Sequence, residues 1–470
     1  MRRLNVLMGI VWLAGLAPAA WTAPLEAGAA VEDITPTVPQ RMSGYFHERV
    51  STGTHDPLLV KAMVLRQGDV SAAIVTCDLI GIPESVTARI REGASGVTGI
   101  PSENIAIAAT HTHTGPLYYG VFRDLFHERA VAAEGEDPHD PSPYVDQLVE
   151  QTVAAIAAAE NALAPADMWT SNAREERLSF NRRFYLRDGS VRFNPGKLNP
   201  EIVAPAGPID PEIPLLYMES AEDGAPLVLF HAFALHLDTV GGVEFAADYP
   251  YYAREILRDA VGEQLVTLFG MAPCGDINHI DVNHGAAQRG HGEAERIGRA
   301  LAAVIQTALL AMTDGAPAEP GLAVASRVLD VPAQTYDAEE LEWARDILEE
   351  VESPDIPFLD KTRARAVVDL HTRYGDTIAM EVQAVRLHND AVFVFLPGEW
   401  FVDLSLHLKE ASPFETTIVV SMANGAPGYV PTAQAFQEGS YETVNSRIAP
   451  GGAEEVLEEA RRLLYGLKDW

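Results

Sequence analysis

Residues 105–116 read Ile-Ala-Ile-Ala-Ala-Thr-His-Thr-His-Thr-Gly-Pro, an apolar run that ends in two imidazoles and a Gly-Pro stop. If residues 105–109 form a buried strand, His111 and His113 share one face and emerge where the strand ends. Strand ends are where α/β enzymes build their sites. Imidazole is the commonest metal ligand and the side chain that titrates near neutrality. The pair points to a metal centre with a proton-handling group beside it. Two polar residues capping a strand are the plain alternative.

Three further apolar runs end in functional-looking polar residues. Residues 230–239 end in His236, followed by Asp238 and Thr239. Residues 395–400 carry Glu399 after a Pro-Gly turn, and residues 422–431 form a glycine-rich loop that presents Tyr429. Together they offer imidazole, imidazole, carboxylate and phenol at strand ends, which is chemically adequate for a catalytic zinc site.

The first residues read as an export signal. Arg2 and Arg3 precede an apolar run over 4–16, and Ala17-Pro18-Ala19 suits cleavage, with Ala23 as the other choice. The expectation is a signal at 1–23, a mature domain over 24–470, and a secreted or periplasmic protein. The signal run is short for a membrane span, and no later stretch is long and apolar enough to be one. The formal charge of −33 argues against nucleic acid and anionic membrane surfaces as partners. Cys77 and Cys274 are the two cysteines, each at the end of an apolar run, so small buried residues are expected, with a disulfide as the other choice. Without a CxxC spacing, a thiolate zinc site is excluded.

Strand-like and helical stretches alternate throughout, which predicts a mixed α/β domain with β-sheets flanked by helices. Residues 62–65 and 72–77 read as a hairpin, as does 382–396 around His388-Asn389-Asp390. Helices are expected over 86–93, 144–163, 294–312, 337–351 and 453–467. Residues 227–234 and 265–271 look like central strands. The Pro/Gly/Ala-rich stretch 313–321 is the candidate boundary between two lobes, with the site between them. No internal repeat is evident.

The chain resembles the neutral (non-lysosomal) ceramidases and their bacterial relatives over most of the mature sequence. The resemblance rests on Gly44-Tyr45, His55-Asp56-Pro57-Leu58 and His111-Thr112-His113-Thr114-Gly115-Pro116. It continues through Asn181-Arg182, residues 233–236, Gly275-Asp276, residues 396–399, Gly428-Tyr429-Val430 and Tyr441-Glu442. It implies one zinc ion per chain held by His111, His236, Glu399 and Tyr429. His113 takes the place of the histidine that acts beside the metal, Arg182 that of the arginine, and Tyr441 that of the second tyrosine. The implied chemistry is hydrolysis of an amide in a small N-acyl or lipid-like substrate. Zinc lowers the pKa of water and polarises the acyl carbonyl, His113 is general base and then acid, and Arg182 and Tyr441 stabilise the oxyanion.

Two departures bear on substrate. Asn278 stands where the ceramidases carry a serine, in Gly275-Asp276-Ile277-Asn278, and an amide is no covalent nucleophile. A C-terminal immunoglobulin-like domain is also not expected here, since the sequence stops at Trp470. His279, His284 and His291 form a polar loop with Asp281 and Asn283 for which a solvated surface role is expected, with lining of the substrate pocket or a second metal as the other choices, and His47, Glu48, Tyr118 and Tyr119 are candidates to border the pocket. The rival readings are an amidohydrolase-type metal enzyme and an exported binding protein that kept the fold and lost the chemistry. The oligomeric state is open.

Overall fold

One supersecondary unit, an antiparallel hairpin followed by a helical crossover to a parallel strand, occurs three times and frames the site. The computed structural model describes residues 23–469. The expected export signal therefore lies almost wholly outside the described residues.

The chain enters through β1 (Leu25–Asp33). The first unit is β2 (Leu59–Gln67) and β3 (Val70–Cys77), helix Glu84–Thr98, then β4 (Ile105–Ala109). After helix Ser142–Asn161 and β5 (Ala164–Arg174), the second unit is β6 (Glu212–Ser220) and β7 (Pro226–Phe233), helix Tyr249–Val261, then β8 (Val266–Met271). Helix His291–Thr313 leads to β9 (Pro320–Pro332), helices Ala338–Glu349 and Phe358–Arg373, and the third unit. That unit is β10 (Thr377–His388) and β11 (Ala391–Phe395), helix Val402–Ala411, then β12 (Thr416–Val420). The recurrence is topological, with no matching sequence repeat.

The first two units form one eight-stranded sheet in the order β8-β7-β6-β5-β1-β2-β3-β4, and the third forms the sheet β9-β10-β11-β12. The large sheet is joined at its middle by only two residue pairs, Glu26 with Pro165 and Ala27 with Ala164. That narrow join lets it fold over, so that β8 lies against β2, β3 and β4. Residues 227–234 form a strand inside the sheet, as expected. Residues 265–271 form β8 at its margin rather than its centre, because burial on both faces makes a run uniformly apolar wherever it sits.

The hairpins at 62–77 and 382–396 and all five expected helices are present. Helix Ala338–Glu349 opens with a capping box between Asp337 and Glu340, two reciprocal bonds that satisfy amides the first turn leaves free. One core runs across the stretch 313–321, from Ile74 and Leu309 to Leu322, Phe393 and Val420. A second packs the outer face of β9–β12 under the final helix, Gly452–Lys468. Cys77 and Cys274 are both buried and unpaired with each other.

Candidate metal centre

The carboxyl ends of the three units meet. Ala109 N–H donates to Met422 O at 3.0 Å, which ties the end of β4 to the end of β12, and Ser421 N–H donates to Met271 O at 2.8 Å, which ties β12 to β8. His113 N–H donates to Leu237 O at 3.1 Å, so the loops after β4 and β7 are bound together as well. Each loop contributes one or more of the polar residues read from the sequence.

His111 lies two residues past β4 at φ 73°. This left-handed turn costs a β-unbranched residue about 1 kcal/mol, and such strain collects at functional sites. The two histidines therefore do not meet through strand alternation, because the strand ends at Ala109 and the turn at His111 sets both rings. Their centroids lie 5.0 Å apart at 88°.

His111 Nδ1 lies 2.6 Å from Ile80 O, and His236 Nδ1 lies 3.2 Å from Cys274 O. Each carbonyl can only accept, so Nδ1 carries the proton in both rings and Nε2 is left with its lone pair. The two Nε2 atoms are 3.2 Å apart. Glu399 Oε2 lies 3.4 Å from His111 Nε2 and 3.6 Å from His236 Nε2, and it is buried without a hydrogen-bond partner. Bare lone pairs and an orphaned carboxylate oxygen facing one another in a buried space repel, and a cation between them removes that repulsion. The donor set of nitrogen and oxygen atoms fits zinc.

Burial favours the uncharged form of Glu399, but the polar and charged groups around it, Tyr429 and Arg182 among them, outweigh it and hold the carboxyl down. Burial, with Arg182 and the neighbouring histidines, drives His236 well below the ordinary imidazole range and keeps it neutral. Burial lowers His113 to about 4, against the pull of Asp238. His113 Nε2 is 3.4 Å from His111 Nε2, and its Nδ1 is 3.6 Å from Asp238 Oδ1. His111, His113 and His236 thus form one group with ligating atoms within 4.8 Å of each other. Asp238 is itself fixed by Tyr45, whose hydroxyl donates to it at 2.8 Å.

Glu399 is placed by backbone. Glu399–Trp400 pairs in parallel with Tyr429–Val430, and Glu399 N–H donates to Gly428 O at 2.8 Å. Gly275 lets the loop after β8 pack beneath it, since a Cβ there would meet Glu399 O at 2.5 Å.

Arg182 is buried and almost fully engaged. It donates through Nε to Glu442 Oε1 at 2.9 Å and through Nη2 to Gly275 O at 2.6 Å and Tyr429 Oη at 3.0 Å. Glu442 is wholly buried and also accepts from Arg183 at 2.9 Å. Burial pushes the Tyr429 phenol well above its usual range, against Arg182. Tyr441 packs its ring 5.4 Å from that of Tyr429, and its hydroxyl accepts from Asn445 Nδ2 at 3.2 Å.

Two spaces meet at the cluster. A chamber of about 100 Å³ reaches His111, His113, Glu399, Tyr429 and Tyr441, and a wide cleft of about 840 Å³ reaches His236, Arg182 and Asp238. Tyr118 and Tyr119 border the chamber as expected, whereas His47 and Glu48 do not. Asn278 borders the same cleft as His236 and Arg182, with Nδ2 donating to Asn194 Oδ1 at 2.8 Å and Oδ1 accepting from Ile280 N–H at 3.0 Å. The histidine loop is not uniformly solvated. His284 is exposed, but His279 is buried with Nε2 2.7 Å from Gln288 O, and His291 stacks on His55 at 3.6 Å. Asp238 and Glu442 sat in the sequence motifs without a role. Arg365, Asp369, Arg373 and Arg447, which also line the chamber, gave no signal in the sequence beyond the i, i+4, i+8 spacing of the first three.

Three parallel-strand crossovers with a histidine–carboxylate–phenol cluster at their carboxyl ends define a mixed α/β scaffold with β-sheets flanked by helices. Residues 25–242 match the family model described as neutral/alkaline non-lysosomal ceramidase, N-terminal. The fold of the chain is similar to that of the neutral ceramidase from Pseudomonas aeruginosa, with a TM-score of 0.73 at 18% identity over 95% of this chain and 75% of that one. A second solved structure, described as ceramidase complexed with C2, gives 0.70 at 17% identity over 95% of this chain and 76% of that one. No curated protein sequence matches the chain.

Proposed function

We propose that this chain is an exported, zinc-dependent hydrolase of the neutral ceramidase type that cleaves an amide (N-acyl) bond. The observation that carries the reading is the pair of bare Nε2 atoms of His111 and His236 at 3.2 Å, facing the unpartnered Glu399 Oε2. His111, His236, Glu399 and Tyr429 would hold the ion. Zinc bound there supplies a Lewis acid that lowers the pKa of water and polarises an acyl carbonyl. The positively charged Arg2-Arg3 start and the apolar run that follows support export.

The chain's own residues supply the rest. His113 faces the cluster through Nε2 and has Asp238 behind Nδ1, so it can take a proton from the attacking water and return it to the leaving amine nitrogen. Neutral His113 is ready to accept that proton, and Asp238 stabilises the imidazolium that results. Arg182 holds the Tyr429 phenol oxygen and balances negative charge that develops beside it. Asn278 offers no nucleophile, which leaves attack to water.

The test is metal analysis joined to an activity panel. The purified chain is expected to contain about one zinc per molecule and to hydrolyse N-acyl sphingosines, N-acyl amino acids or both, with loss of activity on chelation and recovery on adding zinc. A chain that takes up no zinc, or a zinc-loaded chain that turns over no N-acyl compound, overturns the reading.

A further inference from the structure

The chamber that reaches the proposed metal ligands is also lined by a cation, Arg365, that forms no ion pair with a carboxylate among the described residues. Arg365, Asp369 and Arg373 lie on one face of helix Phe358–Arg373 at i, i+4 and i+8. All three border the chamber, as does Arg447. Both oxygens of Asp369 are taken, one by Arg373 Nη1 at 3.2 Å and the other by Arg447 Nε at 2.9 Å. Arg365 is left with the neutral Asn445 Oδ1 at 3.3 Å and the ring faces of Phe46 and Phe122 at 5.9 and 5.5 Å. Among the described residues no carboxylate pairs with it. Burial and the nearby Arg447 lower its pKa, against the pull of Asp369. Arg373 has a second acidic neighbour in Glu84 at 3.9 Å, so of the three guanidiniums Arg365 is the one without an ion pair among the described residues.

We propose that Arg365 binds an anionic group of the substrate, and that the substrate class is therefore N-acyl amino acids, with the carboxylate on Arg365. The same Asn445 amide that accepts from Arg365 donates to the Tyr441 hydroxyl, so the anion site and the cluster share one wall. The chamber has room for a group such as an amino-acid carboxylate, and the rest of the substrate extends into the wide cleft beyond the histidines. A guanidinium matches a carboxylate with two parallel hydrogen bonds, which a neutral hydroxyl cannot reproduce. The proposal rests on the amide-hydrolase reading for its reaction.

The experiment compares N-lauroylglycine with N-lauroylethanolamine, which differ in little but the charge. Hydrolysis by the zinc-loaded full chain is measured in parallel with calorimetric binding of the two corresponding dodecylsulfonamides, which cannot be cleaved. The acid is expected to be preferred over the alcohol by about 10- to 100-fold in kcat/KM and in binding, the usual worth of a hydrogen-bonded charge. Arg365→Gln should bring both ratios close to one, and Arg365→Lys should restore part of them. Equal handling of acid and alcohol by the wild type, or an acid preference that survives Arg365→Gln, overturns the proposal. Hydrolysis of both amides without preference removes the anion site and leaves the hydrolase. Selective binding of the sulfonamide acid without hydrolysis of either amide keeps the anion site and removes the hydrolase.

Discussion

His111 Nε2 and His236 Nε2 stand 3.2 Å apart, 125 residues distant in the chain, and each faces the other with its proton on the far side of the ring. Two carbonyls from different loops, Ile80 O and Cys274 O, set this arrangement before any ligand arrives. The site is therefore preorganised for a cation, and the tautomers are fixed by backbone. A zinc-loaded chain should unfold at a higher temperature than the metal-free one and require higher denaturant.

The two histidines of the opening motif are expected to separate on mutation. His111→Ala removes a donor that faces both His236 and Glu399 and should abolish zinc binding, as measured by elemental analysis. His113→Ala should retain zinc and lower kcat by about 10²- to 10⁴-fold, the usual effect of removing a general base. Loss of zinc in His113→Ala would make His113 a ligand instead.

Glu442 is the counter-ion of two buried guanidiniums, Arg182 at 2.9 Å and Arg183 at 2.9 Å. Glu442→Gln leaves both charges buried without it, and such losses cost about 3–5 kcal/mol. The expected outcome is a clearly lower denaturant midpoint together with weaker zinc binding, because Arg182 also positions Tyr429. A midpoint equal to that of the wild type would refute this.

Gly275→Ala tests the support beneath Glu399. Its Cβ would stand 2.5 Å from Glu399 O, and the obstacle is backbone, which cannot rotate away. Displacement of the Glu399 segment should weaken zinc affinity and cost about 1–3 kcal/mol of stability, as overpacking does. Zinc titration with a competing chelator reads the first effect and urea unfolding the second.

Asp369 makes stability depend on pH in a known direction. Burial raises its pKa, but Arg447, Arg373 and Arg365 outweigh that and hold the carboxyl below its ordinary value. A pKa lower in the folded than in the unfolded state means stability that is complete above the ordinary carboxylate range. It is lost as pH falls through that range toward the folded-state value. Asp369→Asn should be less stable at pH 7 and show a shallower loss between about pH 5 and 3. Parallel pH-dependences for variant and wild type would contradict the pairing.

Much of this was legible in the sequence because the relevant signals are local. Apolar period and turn residues marked the hairpins at 62–77 and 382–396 and the long helices. Each polar residue of the cluster stood where an apolar run stopped. The motif order then implied His111, His236, Glu399 and Tyr429 as one set, although only their resemblance to a family joined them. Other features left no local trace. The recurrence of the hairpin–helix–strand unit is a matter of topology, and it survives without sequence similarity because any apolar run of the right length can fill a buried strand. The margin position of β8 was hidden for the same reason.

Sequence alone determined the parts: the elements, the donor residues and the chemical class they suit. Tertiary structure decided which of them meet. The left-handed turn at His111, the carbonyls that fix two tautomers, and the pairing of Asp369 with Arg373 and Arg447 rather than Arg365 all depend on how segments pack in space. Charge pairing and lone-pair direction act over a few ångströms in space, and a linear order of residues does not specify them.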